Sequence, residues 1–231
     1  MTGEIALIVG AGAGLSASLA RRCAAGGMRV ALAARNADKL AGLAGETGAR
    51  AYAADAAKRE SVEALFRAVD QDFGTPDLVV YNPSRRLRGS IVELDPAEVE
   101  AAIMVTCFGG FLVGQQAAKR MLPRGRGTIL FTGASASVKG YAKSAPFAMG
   151  KFGLRGLAQS MARELAPQGI HVAHVVIDGG IASTHASSPD ERDGDRFLAP
   201  DTIAETYLQL HRQHRSAWAW EIELRPWTEP F

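Results

Sequence analysis

The sequence predicts a doubly wound α/β fold: a parallel seven-stranded sheet with helices on both faces, in three layers. Three observations carry this. Short apolar runs recur along the chain, segments of helical period separate them, and the runs lack the apolar–polar alternation that a sheet with one wet face would impose. The strands, in order, are read at EIALIV (4–9), RVALAA (29–34), ARAYAA (49–54), LVVY (78–81), GTILFT (127–132), IHVAHVVI (170–177) and AWEIEL (219–224). Between them, apolar residues three and four apart predict helices over Gly14–Gly26, Ala37–Glu46, Lys58–Phe73, Pro96–Met121 and Pro146–Ala166. Strand and helix in alternation imply right-handed crossovers and hence parallel strands. HRQHR (211–215) is read as the exposed side of a late helix. The polar, turn-rich segment Thr184–Asp201 leaves the carboxyl end of a strand, where open α/β sheets bind ligands, and is read either as a lid or as a solvated surface loop.

At 231 residues without a long polar or proline-rich linker, the chain is read as one domain, residues 1–231. Twenty-six Lys and Arg against 24 Asp and Glu leave a net charge of +2, which supplies no field to recruit nucleic acid or an anionic membrane. The apolar stretch Ile5–Val9 runs straight into glycines and has neither a basic leader nor a cleavage site, so it is read as neither signal peptide nor membrane span, and the protein is expected in the cytoplasm. Cys23 and Cys107 lack metal-ligand spacing and are expected as free thiols, with no metal site. His171 and His174 lie three apart on a strand, hence on opposite faces, which argues for packing and against shared ligation.

After the first strand comes VGAGAGLS (9–16), where Gly10, Gly12 and Gly14 permit a tight turn and bring backbone N–H groups to the start of a helix. Such a turn suits a dinucleotide pyrophosphate, although a glycine cluster also serves as a plain structural turn. At the end of the second strand Arg35 follows Ala34 directly, with no carboxylate. A guanidinium there binds a ribose 2′-phosphate through its planar fork, whereas a carboxylate would repel it; the alternative is a solvated strand end.

These residues give the chain a resemblance, over nearly its whole length, to the short-chain dehydrogenase/reductase family, whose members have a Rossmann fold. The family's TGxxxGxG fingerprint is matched at Gly10 and Gly14, with Val9 in place of the threonine and Ser16 in place of the last glycine. The resemblance implies that Gly10, Gly12, Gly14 and Leu15 cradle the pyrophosphate and that Asp55, otherwise read as a helix cap, bonds the adenine amino group. It also implies that Asn82, the survivor of the family's NNAG in YNPS (81–84), lies over the cofactor, and that Gly179 and Ile181 in IDGGIAS (177–183) flank the nicotinamide. Ser16 is read as loosening the helix slightly while adding a hydroxyl available to phosphate, and Pro83 as reshaping the turn. NADP(H) is therefore the expected cofactor and a small molecule the expected substrate. The family's dimers and tetramers imply a homodimer or homotetramer, with the aromatic tail RPWTEPF (225–231) against a neighbouring subunit.

The catalytic end departs further. The family reduces carbonyls with an asparagine, a serine and a YxxxK pair, the lysine lowering the phenol pKa and gripping the ribose. In FAMGK (147–151) Lys151 is present, but Phe147 stands at the tyrosine position. Thr106 occupies the asparagine position and Ala134 the serine position, with Ser135 and Ser137 beside it. Losing a positioned general acid costs about a hundred- to ten-thousand-fold in rate. Three residues are carried as catalytic candidates: Lys151; Tyr141, which on a continuous helix would lie about 15 Å away and takes part only if a loop folds it back; and Ser144, one turn before Phe147. Arg85, Arg86 and Arg88, with Lys139 and Lys143, are read either as solvated charge or as an attractor for an acidic substrate. Two readings follow: an NADP(H)-dependent oxidoreductase acting on a small carbonyl or enone with a non-standard proton donor, or an NADP(H)-binding protein with little or no turnover.

Overall fold

The computed structural model describes residues 3–182 and 196–229, so most of the segment read as a lid or loop, 184–195, lies outside the described residues. The seven strands are β1 (Ile5–Val9), β2 (Arg29–Ala34), β3 (Arg50–Ala53), β4 (Leu78–Tyr81), β5 (Gly127–Thr132), β6 (Ile170–Ile177) and β7 (Glu221–Leu224). They form one parallel sheet in the order β3-β2-β1-β4-β5-β6-β7. The strands β1, β4 and β6 are buried at every position, which explains the apolar runs of β1 and β4 and the run of β6, broken only by His171 and His174.

Side chains alternate between two cores. Leu7 and Val9 point with Val79, Tyr81, Ile129 and Phe131 toward helices α3 (Arg59–Asp72), α5 (Gly109–Met121) and α6 (Ala145–Leu165). Ala6 and Ile8 point with Val80, Leu130 and Val175 toward α1 (Leu15–Ala25) and α7 (Pro200–His211). The short helix α2 (Ala41–Thr47), entered through a 3₁₀ turn at Asp38–Leu40, closes the edge near α1.

The predicted helix over Pro96–Met121 is divided. Helix α4 (Pro96–Ile103) starts with Pro96 after Asp95, whose Oδ1 accepts from Ala97 N at 3.0 Å, a capped start. A π-helical segment, Met104–Phe108, then leads into α5. The run Pro96–Arg124 is long and apolar enough to cross a membrane by length and composition; here Leu112, Val113, Ala117 and Met121 bury it against the sheet.

The π segment lets fully buried Thr106 approach α6 at Gly150, where a Cβ would lie 2.8 Å from Thr106 Cβ. That contact sets the depth of α6, and with it the neighbouring Lys151. Gly150→Ala therefore sets a helix-propensity gain of about 1 kcal/mol against an overpacking cost of about 1–3 kcal/mol. A net loss of up to about 2 kcal/mol is expected in urea denaturation; an unchanged or raised midpoint would show that the helices have room to spare.

Candidate functional site

Strands β1, β4, β5 and β6 end on one edge, and the sheet order reverses between β1 and β4, so a crevice opens beyond their carboxyl ends. Two adjoining cavities fill it. The larger, about 1180 Å³, runs from the glycine turn past the end of β2 to Asp55; the smaller, about 490 Å³, surrounds Lys151. Asn82 and Ser84 line both, so the two form one continuous cleft.

Gly10 (φ 82°) and Gly14 (φ 78°) hold left-handed backbone that glycine adopts freely. At Gly10 a Cβ would also meet the Pro83 ring at 2.7 Å, so the proline has taken the space that the glycine leaves. Gly12 lines the cleft with nothing within 4 Å of its Cβ position. Helix α1 begins here, and its first-turn N–H groups lack intrahelical acceptors, which suits an anion. Leu15 buries its side chain in the core, leaving its backbone N–H as its only donor. The expectation for Ser16 is corrected. It is buried, its hydroxyl donates to Gly10 O at 3.0 Å and accepts from Asn82 Nδ2 at 2.8 Å. It thus pins the glycine turn to the end of β4 and leaves no hydroxyl for a phosphate.

Arg35 lines the cleft just past the end of β2, joined by Lys39, which the sequence reading missed because a bend and the 3₁₀ turn at Asp38–Leu40, and no regular spacing, bring the two to one cleft. The acidic lining residue is Asp55, whose Oδ1 accepts from Ala57 N at 3.1 Å in the turn before α3; the helix-cap reading is corrected, because α3 starts after Lys58 without a side-chain cap. A glycine cradle, a helix N-terminus and a basic pair in one cleft fit a dinucleotide with a phosphorylated ribose.

Beyond Asn82 lies Lys151 on α6, 2% exposed, its Nζ donating to the Thr132 carbonyl at 2.6 Å. Burial pushes its ammonium down to about 8. Phe147 lies one turn earlier, with Lys151 Nζ 5.9 Å from its ring centroid and Arg86 Cζ 5.5 Å from it. Tyr141 sits in a turn closed by Ser144 N–H to Tyr141 O at 3.2 Å, followed by Lys143 at φ 59°. The turn folds Tyr141 back to line the cavity of Lys151, along with Ser135. Ser144 is corrected: it is buried at the start of α6, its carbonyl accepts from Ala148 N, and it is not part of the cavity lining.

Gly179 and Ile181 line the far wall. Asp178, before Gly179, is buried and accepts from Arg225 at 2.9 Å and Lys139 at 3.4 Å. The tail expectation is revised in part: Pro226 packs on its own chain, 2.6 Å from a Cβ placed on Gly179.

Behind the cavity runs a chain of hydrogen bonds. The Ala134 N–H donates to Ser137 Oγ at 3.1 Å, Ser137 pairs with His174 Nε2 at 3.2 Å, and His174 Nδ1 meets Glu221 Oε2 at 3.0 Å. Arg155 grips the same carboxylate through two bonds of 2.6 and 2.7 Å. Burial drives His174 down to about 4, against the pull of Glu221. The imidazole is therefore neutral near pH 7, with Nδ1–H donating to the carboxylate and Nε2 accepting from the Ser137 hydroxyl. Ser137 is fully buried and lines neither cavity, so this serine–histidine–carboxylate row props the loop after β5 and offers no nucleophile. His171 stacks on Trp218 at 4.8 Å and bonds Ala219 O, on the other face of β6.

A profile of the short chain dehydrogenase family matches residues 4–193. The D-threitol dehydrogenase of Mycolicibacterium smegmatis is 30% identical over 218 residues, 88% of this chain and 84% of that protein. A short-chain dehydrogenase from Rhodopseudomonas palustris superposes with a TM-score of 0.84 at 35% identity, covering 97% of this chain and 99% of the other. A metagenomic short-chain oxidoreductase in complex with NADP does so with a TM-score of 0.85 at 28% identity and 98% of both chains.

The buried ammonium makes stability depend on alkaline pH. Unfolded, Lys151 keeps its proton to 10.5; folded, it releases it near 8, so between these values the unfolded state binds more protons and stability rises with pH. Relative to Lys151→Met, which cannot titrate, the wild type should gain up to about 3 kcal/mol across that window. Urea denaturation of both proteins measures this, and parallel pH profiles would contradict the burial.

Proposed function

We propose that this chain, which belongs to the short-chain dehydrogenase family, is an NADP(H)-dependent oxidoreductase that acts on a small carbonyl or enone substrate with a proton donor other than a phenol at position 147. The observation that carries the reading is the continuous cleft, with Arg35 and Lys39 at the end of β2 and Lys151 buried beyond Asn82. The relative solved with NADP supports the choice of cofactor. When bound, the nicotinamide supplies or accepts the hydride. The chain's own residues do the rest. The glycine turn and the α1 N-terminus take the pyrophosphate, Arg35 and Lys39 the 2′-phosphate, and Gly179 and Ile181 wall the nicotinamide end. Lys151 holds the ribose and, as a cation at neutral pH, stabilises negative charge developing on a substrate oxygen. The Tyr141 hydroxyl, folded back over the cavity, hands over the proton, with Ser135 as the other hydroxyl on the lining.

A second reading, an NADP(H)-binding sensor or partner subunit, draws support from Phe147, Thr106 and Ala134 at three of the four family positions. Turnover separates the two. Deuteride loss from stereospecifically labelled NADPH across aldehydes, ketones and enones is expected for the oxidoreductase, and tight binding with no transfer would leave the sensor. The cofactor assignment is tested apart from turnover: Arg35→Ala with Lys39→Ala should weaken NADPH binding by about ten- to a hundredfold while leaving NADH little changed. Equal losses for both coenzymes would contradict the 2′-phosphate role.

The protein is proposed to work in the cytoplasm as a homodimer or homotetramer. Phe108 and Phe111, stacked at 5.9 Å, and Met149 and Phe152 are 40–55% exposed on α6 and the helical run beside it, which touch closely where Gly153 meets Cys107. A second copy would cover this apolar face. Light scattering should give a dimer or tetramer that Phe152→Glu shifts to a smaller species; a monomeric wild type would refute the assignment.

A further inference from the structure

We infer that the cavity around Lys151 selects a substrate carrying an oxyanion, a carboxylate or phosphate, and that Arg86 is the residue that grips it. The inference rests on the oxidoreductase reading only for the name "substrate"; the binding site stands on its own geometry.

The loop after β4 is tied down along its length. Asn82 N–H reaches Val9 O at 3.0 Å, Arg85 N–H reaches Thr106 Oγ1 at 3.1 Å, and Gly89 N–H reaches Lys143 O at 3.1 Å on the loop that precedes α6. These ties send the two neighbouring arginines different ways. The Arg85 guanidinium pairs with Glu98. Arg86 turns over the Phe147 ring, lines the cavity, and meets no carboxylate among the described residues. A guanidinium lying near an aromatic face is held in place while its N–H donors stay available to an acceptor, which is the preorganised fork that oxyanions fit. Phenylalanine keeps that platform and adds no hydroxyl to compete for the guanidinium.

The charge around the cavity points the same way. Its lining holds Arg86, Lys151, Asp178 and Glu229. Asp178 is already matched by Arg225 and Lys139, and Glu229 is exposed near the rim. Among the described residues, two cations, Arg86 and Lys151, therefore flank Phe147 without a buried carboxylate paired to either. A neutral carbonyl compound gains nothing from Arg86; an anionic one gains a charge-assisted contact and keeps its carbonyl free for the Lys151 side.

Calorimetry on the full chain saturated with NADP⁺ tests this without turnover. The probes are para-carboxybenzaldehyde, the phosphate ester of para-hydroxybenzaldehyde, and the neutral para-carbamoylbenzaldehyde. At least one anionic probe should bind about tenfold or more tighter than the amide, and its identity tells carboxylate from phosphate. In Arg86→Gln the preference should fall to within about twofold, with NADP⁺ and amide binding unchanged. Arg86→Lys should keep part of it, and added salt should shrink it in the wild type. Equal binding of all probes, no binding of any at millimolar concentration, or a preference that survives in Arg86→Gln would overturn the inference. Arg86 is exposed, so its variants should fold; should they not, loss of the preference in Phe147→Leu, which removes the platform, is the expected result, and its retention there counts against the site. A preference without deuteride transfer would sink the oxidoreductase reading alone, and transfer without a preference would sink this one alone.

Discussion

A cation enclosed by protein has to find an acceptor, and here the acceptor is the Thr132 carbonyl at the last residue of β5. A buried ammonium without such a partner would lose several kcal/mol of hydration for nothing in return. The bond therefore fixes the spacing between α6 and the carboxyl edge of the sheet, and that spacing is reached only because Gly150 presents no side chain to Thr106. Thr132 is itself held, since its Oγ1 accepts from the buried Tyr207 hydroxyl at 2.9 Å on α7. Helices from both layers thus converge on one strand end. The position of Lys151, and of Phe147 one turn before it, follows from packing on both sides of the sheet.

The loop after β5 receives a second constraint from the edge of the sheet. Direction can be assigned along its whole hydrogen-bond chain because its end is a carboxylate, which only accepts. Glu221 accepts hydrogen bonds from Arg155 and His174, His174 in turn accepts one from Ser137, and Ser137 accepts one from Ala134 N–H. Every group is satisfied while the imidazole is neutral. Protonating it would place two donors face to face at Ser137, in agreement with a histidine held down near 4. Gly133 completes the fit, because a Cβ there would lie 2.4 Å from the His174 ring. The cavity wall is therefore a rigid one, fastened to β7 through a strand-borne histidine.

The inner sheet was legible because its strands are short apolar runs between helical segments, a pattern that burial on both faces enforces, whereas the edge strands β3 and β7 are half-exposed and carry charge. The π segment was not, since Met104–Phe108 itself continues the apolar helical period with no glycine or proline inside it, and its contact with α6 at Gly150 is a tertiary one. The glycine turn was legible through spacing, whereas the role of Ser16 depended on Asn82, 66 residues away. Lys39 was not readable from spacing, because a bend separates it from Arg35 and only the 3₁₀ turn at Asp38–Leu40 brings it to the cleft. The Ser137–His174–Glu221 row was hidden, because three residues on three elements meet only through the strand order β5-β6-β7. Tyr141 required the turn at Lys143, a left-handed non-glycine residue that no local rule singles out.

The replacements proposed at the catalytic and cofactor ends are mutually consistent in physical terms. Thr106, at the asparagine position, uses its hydroxyl to accept from Arg85 N–H and so sets the loop that carries Arg86. Phe147, at the tyrosine position, offers its ring to Arg86 and Lys151. Asp178, at the proline position, gathers Lys139 and Arg225, and Pro83, at the alanine position, fills the space above Gly10. Random loss of a site leaves cavities and unpaired groups, each costing about 1–3 kcal/mol when buried. At these four positions the side chain has instead a specific partner: Arg85 N–H for Thr106, the Arg86 guanidinium for Phe147, Lys139 and Arg225 for Asp178, and the Gly10 turn for Pro83. Such partnering supports the proposed oxyanion role of Arg86, whose loop Thr106 anchors and whose guanidinium faces the Phe147 ring.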